Sequence, residues 1–398
     1  MAYRYECRSR FETCPYSGEL GVIALLPKIG RLISISLCGL ILLTSIQTAL
    51  AQTDWKKEWE KNVQDAKREG EIVVGIPARA ELRTQLDAVF KPKFGINMEL
   101  MTARGPQNAS RIASEYKAGV KYFDVFIGGS GTYESLVDDG IVEALMPYVI
   151  LPEVKEEKYW WGGHIWEDNV KTKRFLYSFI ADAGTGGFWY NTALAKPEEI
   201  RSLDDFVNPK WKGKVGFLDP RTPGSGQSIW SFIWDVKGEA YLKKLVQQDL
   251  FVSRDQRQLA DALAKGKLAI ALGVSFYTLE GFLVANLPIK EIPPLKEGAP
   301  SSNGSGVIGI VKNPPHPNAA KVFVNWFLSK EGQELYVKVM HQSTRRVDVD
   351  TKWLQEFGVR AAKDTLTVDE YHRLRNHLED KYTRVRLPSA KFAEQILK

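Results

Sequence analysis

The stretch Asn208–Trp230, NPKWKGKVGFLDPRTPGSGQSIW, decides how the rest of the chain is read. Asn208 to Lys214 is a polar turn with one aromatic anchor, Trp211. Val215 to Leu218 is a short apolar run, predicted to be a buried strand. Asp219 to Gly226 is dense in Gly, Pro, Ser and Thr, and the apolar-periodic residues Ile229, Trp230, Phe232 and Ile233 follow. A strand therefore feeds a Gly/Ser loop that opens a helix. The unpaired N–H groups and positive end of a helix start form a ready anion site. Gly224 and Gly226 allow close backbone approach to a ligand, and Ser225 and Thr222 add hydroxyl donors. An ordinary helix cap at Ser225 or Ser228 would use the same residues.

The same strand-then-helix pattern runs upstream. Asp54 opens a helix with Trp55, Trp59, Val63 and Ala66 on one face, ending at Gly70. EIVVGI (Glu71–Ile76), Asn97–Met101 and DVFI (Asp124–Ile127) read as strands. Glu81–Phe94, Asn108–Ala118 and Thr132–Asp139 read as helices between and after them. Such alternation predicts an α/β domain with a largely parallel sheet, whose ligands bind beyond the carboxyl ends of the strands. Two segments leave strands there: Pro77-Ala78-Arg79, and Gly129-Ser130-Gly131-Thr132 after Gly128. Arg79 carries a planar cationic fork suited to carboxylate or phosphate, although a solvated surface arginine would look the same. Tyr159, Trp160, Trp161 and Trp166 form an aromatic group better suited to packing than to a cleft wall.

Downstream, Arg174–Asn191 holds two apolar runs around a Gly-rich middle at Gly184–Gly187, a candidate hinge. Gly238–Gln247 and Gln256–Gly266 read as helices, and KLAIALGV (Lys267–Val274) as a strand. It ends in a third loop, Ser275-Phe276-Tyr277-Thr278. Pro288–Gly304 is Pro/Gly/Ser-rich, and Val307–Val311 reads as a strand and second crossing. Asn318–Val339 reads as one long amphipathic helix, and Thr367–Lys398 as charged helices packed around the lobes.

The 398 residues suffice for two ordinary domains. Leu32–Ile46 is uncharged and apolar, follows Lys28 and Arg31, and precedes Ala49-Leu50-Ala51. That is a secretory leader with cleavage expected before Gln52. Leu37 before Cys38 is too bulky for lipoprotein processing, so a soluble exported protein is expected. All three cysteines lie in this leader, which leaves no disulfide, thiolate nucleophile or Cys-metal site in the remainder. The leader carries two of the six net positive charges, leaving about +4, spread along the chain. That balance suits a small anion better than nucleic acid.

Four segments carry a family resemblance: DVFIGGSGTYESLVDDGIVEAL, GFWYNTALAKPEEIRSLDDFVNPKWKGKVGFLDP, LADALAKGKLAIALG and NPPHPNAAKVFVNWFLSKEGQELY. They resemble periplasmic solute-binding proteins of ABC importers, in the ferric-ion-binding branch. The resemblance implies a two-lobed α/β periplasmic-binding-protein fold of type II, each lobe a mostly parallel sheet flanked by helices, with two hinge crossings. The expected lobes are residues 52–183 with a return near 306–345, and 184–305, with 346–398 packed on them. The resemblance also implies a monomer, not an enzyme and without a cofactor, that hands ligand to an inner-membrane permease driven by a cytoplasmic ATPase.

Carried over by position, the family's cleft loops fall on Arg79, Gly129–Thr132, Gly224–Gly226 and Ser275–Tyr277. In iron-binding members the first loop supplies a His, where Arg79 stands. The second supplies an acid, where Gly129 stands. The fourth supplies two consecutive tyrosines, where Phe276 and Tyr277 stand. Ferric iron needs several anionic oxygens, and an arginine in their place repels it. The expected ligand is therefore a small anion: a carboxylate, phosphate, phosphonate or sugar phosphate. Ferric iron held through a chelate or a synergistic anion such as bound carbonate, with Tyr277 as its one protein ligand, is the rival. A secreted serine hydrolase is the rival from another class, because Gly128–Thr132 nearly matches the G-x-S-x-G elbow.

Overall fold

The computed structural model describes residues 54–168, 172–183, 187–301, 303–357, 359–375 and 381–397. The leader and the cleavage site expected before Gln52 lie outside them, as do His377 and residues 184–186 of the candidate hinge.

The first lobe opens with helix α1 (54–69), which stops where Gly70 takes a φ of 81°. Then come β1 (Glu71–Pro77), α2 (Ala80–Phe94), β2 (Asn97–Ala103), α3 (Gly105–Lys117), β3 (Val125–Gly128), α4 (Ser130–Asp138), β4 (Val142–Glu143) and β5 (Tyr177–Ser178). The chain crosses into the second lobe and forms β6 (Phe188–Asn191), β7 (Val215–Leu218), α5 (Ser225–Val246), β8 (Phe251–Ser253), α6 (Gln256–Ala264), β9 (Ile270–Leu272), α7 (Phe276–Val284) and β10 (Ile289–Glu291). It returns as β11 (Val307–Val311), α8 (Pro317–Leu328) and α9 (Lys330–Met340). Further on lie α10 (Val368–Leu374), a π-helical turn (Tyr382–Arg386) and α11 (Leu387–Ile396).

The sheets run β2-β1-β3-β11-β4, with β5 also on β11, and β10-β6-β9-β7-β8. Each joins a parallel half to an antiparallel half. β1 is parallel to β2 and β3, and β7 is parallel to β8 and β9. The strands that enter or return, β11 and β6, pair antiparallel. Apolar side chains cover both faces, which is why β1, β3, β7 and β11 read as unbroken apolar runs. In the first lobe Phe90, Phe323 and Trp326 lie on one side, and Phe126, Tyr133 and Leu136 on the other. In the second, Trp230, Ile233 and Leu242 face Leu259, Leu263 and Leu279 across the sheet.

Three local expectations are corrected. β11 lies wholly within the first sheet, so the return crossing is the Pro/Gly/Ser-rich run before it. Asn318–Val339 is two helices, broken at Ser329, whose Oγ accepts the Gly332 N–H at 3.4 Å. Gly332 sits so close to the Trp326 and Phe327 carbonyls that a side chain there would collide with them. Ser275–Thr278 is the start of a helix, not a loop, with Ser275 at the cap position of α7. The region after 345 divides: Leu354 and Tyr371 pack on first-lobe residues, whereas Phe392 and Ala393 join the second-lobe core. The Trp234 and Phe392 rings meet at 5.0 Å, and Trp230 Nε1 donates to the Ser389 carbonyl at 2.8 Å.

The aromatic group at 159–166 packs on the core. Trp160 and Trp166 each meet Tyr177 edge-on at 5.2 Å. Buried Arg345 lies over this group and donates to the Ser178, Trp161 and Gly163 carbonyls.

Candidate functional site

A cavity of about 680 Å³ lies between the lobes, beyond the carboxyl ends of their strands. Six strand-to-helix turns wall it: β1–α2, β2–α3 and β3–α4 from the first lobe, and β7–α5, β8–α6 and β9–α7 from the second. Each helix therefore directs the positive end of its dipole at the same space. Five of the six have no acidic residue in the first turn, and the exception is α2, with Glu81. The one carboxylate at a cap among them is Asp255, which accepts the Arg257 N–H.

Several helices are met by acids at their starts, α2 among them although its leading turn also lines the cavity. Glu81 lies in the first turn of α2, Glu331 in that of α9, and Asp369 and Glu370 in that of α10. The start of α8 has no acid of its own, but the Glu69 carboxylate accepts the Asn318 and Ala319 N–H groups.

Of the residues singled out from sequence, Gly129, Gly131, Thr132, Gly224, Ser225, Ser275 and Tyr277 line this cavity. Gly129 caps α4. Gly224 caps α5 with φ 145° and ψ −163°, a conformation that favours glycine. Ser225 turns its hydroxyl onto the Gly273 carbonyl at 2.6 Å, so its job is to tie α5 to the end of β9. Gly226 does not reach the cavity, and a Cβ there would drive into the Leu218 carbonyl. It is glycine because α5 packs on β7. The backbone of Ser130 opens α4, and its side chain lies outside what is described.

Arg79 stands behind the wall. Its Nη1 lies 2.8 Å from Glu280 of α7, and its Nη2 lies 3.2 Å from Glu81. The same Glu280 carboxylate lies 3.0 Å from Nδ1 of His341. Glu280 belongs to the second lobe, and Arg79 and His341 to the first, so this cluster ties the lobes together. Arg104 and Asp255 make a second, exposed tie at 3.2 Å.

Sequence reasoning missed Arg386, which lines the cavity and is 3% exposed. Its Nε donates to Gln227 Oε1 of α5 at 2.8 Å. Its guanidinium reaches across to α4 and lies where a side chain on Gly131 would go, 2.5 Å from Nη2 to an ideal Cβ. No carboxylate among the described residues makes an ion pair with it. Burial pushes its pKa down to about 10, with Tyr382, Glu134 and Glu167 opposing at longer range. No spacing in KYTRVRLPSAKF marks this one arginine, which reads as part of a solvated charged face.

Two carboxyls on the cavity wall were also missed. Burial pushes Asp182 up to about 6, offset in part by the Ser343 hydroxyl and N–H. Burial pushes Glu291 up to about 8, offset in part by Arg360. Among the described residues, no group of three His, Cys, Asp or Glu is placed to hold a metal ion. The histidines His164, His316 and His341 lie against Tyr177, Asp124 and Glu280 respectively.

Residues 80–334 match the family described as bacterial extracellular solute-binding protein. The putative 2-aminoethylphosphonate-binding periplasmic protein of Salmonella typhimurium is 29% identical over 160 residues, 37% of this chain and 45% of that one. Iron uptake protein A1 of Synechocystis sp. is 23% identical over 263 residues, 63% of this chain and 68% of that one. The periplasmic binding protein AfuA from Actinobacillus pleuropneumoniae, solved with fructose-6-phosphate, superposes with a TM-score of 0.62 at 20% identity. That superposition covers 82% of this chain and 98% of AfuA, and it shows a shared fold.

Proposed function

The chain belongs to the bacterial extracellular solute-binding proteins, and from that premise we propose that its cleft captures a small organic anion for an ABC importer. One observation carries the reading: of the six helices whose leading turns wall the cavity, five, from both lobes, have first turns free of acidic residues. Partial positive charge gathered in this way favours a negative ligand, and it costs no reorganisation when the ligand arrives. A cavity of about 680 Å³ is of the size that takes small organic molecules, and an inorganic phosphate would leave most of it to water. Trp189, Phe276 and Phe357 offer apolar wall to a carbon skeleton.

Relatives named for a phosphonate and solved with a sugar phosphate support the same chemical class. Iron has a named relative too, but the donor set here argues against it. Tyr277, Asp182, Glu291 and His341 lie on the wall, and among the described residues no three of His, Cys, Asp or Glu are grouped to hold an ion. The hydrolase reading gains no support from His164, His316 and His341, which lie against Tyr177, Asp124 and Glu280. In the proposed cycle the leader directs the protein to the periplasm and is removed before Gln52. The lobes close on the solute as a monomer, and a membrane permease with its ATPase accepts the load.

Matched ligand pairs test the reading. Thermal unfolding should shift upward with fructose-6-phosphate or 2-aminoethylphosphonate, and not with fructose or ethylamine. A ligand at a hundred times its Kd adds about 2.7 kcal/mol of stability, which is readily measured. Equal responses to the charged and uncharged members would remove the basis for an anion site.

A further inference from the structure

We propose that Arg386 anchors the anionic group of the solute, gripping it against the first turn of α4 from a segment carried by the other lobe. This rests on the anion reading above and assigns the residue that delivers it. The argument starts with where the charge sits. The π-helical turn and α11 ride on α5 and share the second-lobe core through Phe392 and Ala393. From that seat the Arg386 side chain spans to Gly131 of the first lobe. One of its nitrogens, Nε, is held by Gln227, which fixes the plane of the fork. The terminal nitrogens have no hydrogen-bond partner among the described residues and belong to a side chain that lines the cavity.

An arginine only 3% exposed normally has a carboxylate partner, because an isolated charge in a low-dielectric site is costly. The other deeply buried arginines follow that rule or its carbonyl equivalent. Arg375 makes a two-point pair with Glu167, Arg346 pairs with Asp348 and Glu153, and Arg345 is surrounded by carbonyls. Arg386 has neither and is pressed against a helix start, which is itself positive. Two like-signed groups are held together in a buried place that opens on the ligand cavity. An anion is the partner that satisfies both. The fork offers two parallel N–H groups, suited to two oxygens of one carboxylate, phosphate or phosphonate. The N–H groups of α4 receive the remaining oxygens. Gly131 is glycine because any side chain would displace the fork.

The placement also makes Arg386 a bridge between lobes. Its backbone moves with the second lobe while its fork works against the first, so the grip is complete only when the cleft is shut. Solute charge and closure are coupled through this one side chain.

The test uses the full chain without its leader, stripped of bound solute by mild unfolding and refolding. Wild type, Arg386→Met and Gly131→Ala are compared by thermal unfolding and by calorimetric titration. The probes are fructose-6-phosphate, 2-aminoethylphosphonate and inorganic phosphate. For whichever probe the wild type binds, Arg386→Met should weaken affinity on the order of a hundredfold. Gly131→Ala keeps the charge but shifts the fork, and should weaken affinity at least tenfold. Without ligand, Arg386→Met should unfold at a higher temperature than the wild type, because an uncompensated buried charge has gone. A structural arginine would show the reverse. Binding by Arg386→Met within threefold of wild type, or a lower ligand-free unfolding temperature, overturns the proposal and leaves the anion reading standing. Wild type indifferent to all three anions overturns both.

Discussion

Two arginines come to the neighbourhood of the cleft from far-apart parts of the chain, and they differ in their partners. Arg79 follows the first strand, at the place where a sequence reader looks for a ligand contact. There it is held by Glu280 and Glu81, with its Nη1 2.8 Å from the former. Arg386 follows the last strand, inside a run of mixed charge, and has no carboxylate partner among the described residues. The first region is a tie between lobes whose charges already balance. The second is a charge held in reserve. A cation beside a cavity is informative about ligands only after its own partners have been counted.

The sharpest way to break this comparison is to exchange the two losses. Arg386→Ala should cost roughly 2–3 kcal/mol of solute binding, read by calorimetry, whereas Arg79→Ala should cost under 1 kcal/mol. A larger loss at Arg79 than at Arg386 would reverse their roles. Next in size is Glu280→Ala, which strands Arg79 and should destabilise the ligand-free protein by about 1–3 kcal/mol. Small-angle scattering of that variant without ligand should give a larger radius of gyration than wild type, because the tie between lobes is gone. An unchanged scattering profile would show that the tie does not hold the lobes.

A third experiment sharpens the picture of the cavity wall. Glu291 is held up at about 8 by burial, while in the unfolded chain it titrates in the ordinary carboxylate range. Between these values the folded form binds the extra proton, so stability falls as pH rises from about 4 to 8 and then levels. Glu291→Gln should flatten that slope and unfold at a higher temperature than wild type at pH 8. Each kcal/mol corresponds to roughly 2–4 °C for a domain of this class. Equal slopes for the two proteins would place Glu291 in contact with solvent. The smallest effect is expected at Tyr277. Tyr277→Phe should cost on the order of 1 kcal/mol of binding at most, and ferric citrate should give wild type no visible tyrosinate band. A band abolished by that substitution would restore the iron reading.

Much of the fold was legible because its signals are local. Apolar runs such as Val215–Leu218 and Val307–Val311 are covered on both faces and show it in four or five residues. Gly70 and Gly224 mark the ends of elements through backbone angles few other residues accept. The start of α7 was not legible, because FYTLEGFLV is apolar nearly throughout and has no polar face to set a helical period. The break at Ser329 was hidden for the opposite reason. Good helix formers lie on both sides of it, and only the packing of Gly332 on the preceding turn reveals the stop. The cavity wall followed from the strand ends, so most of the glycine, serine and threonine positions were found. The charges inside it were not, because the use of Arg386, Asp182 and Glu291 depends on neighbours far away in sequence.

The position of Arg386 in chain order has a consequence for how the molecule comes into being. A chain made from its N-terminus completes both sheets at Val311, before the segment carrying Arg386 has emerged. The lobes can then begin to take shape around an incomplete site, with Phe392 and Ala393 of the second-lobe core still to come. Capture of solute by a half-made molecule is thereby disfavoured, and acquisition of cargo becomes a late step in its birth.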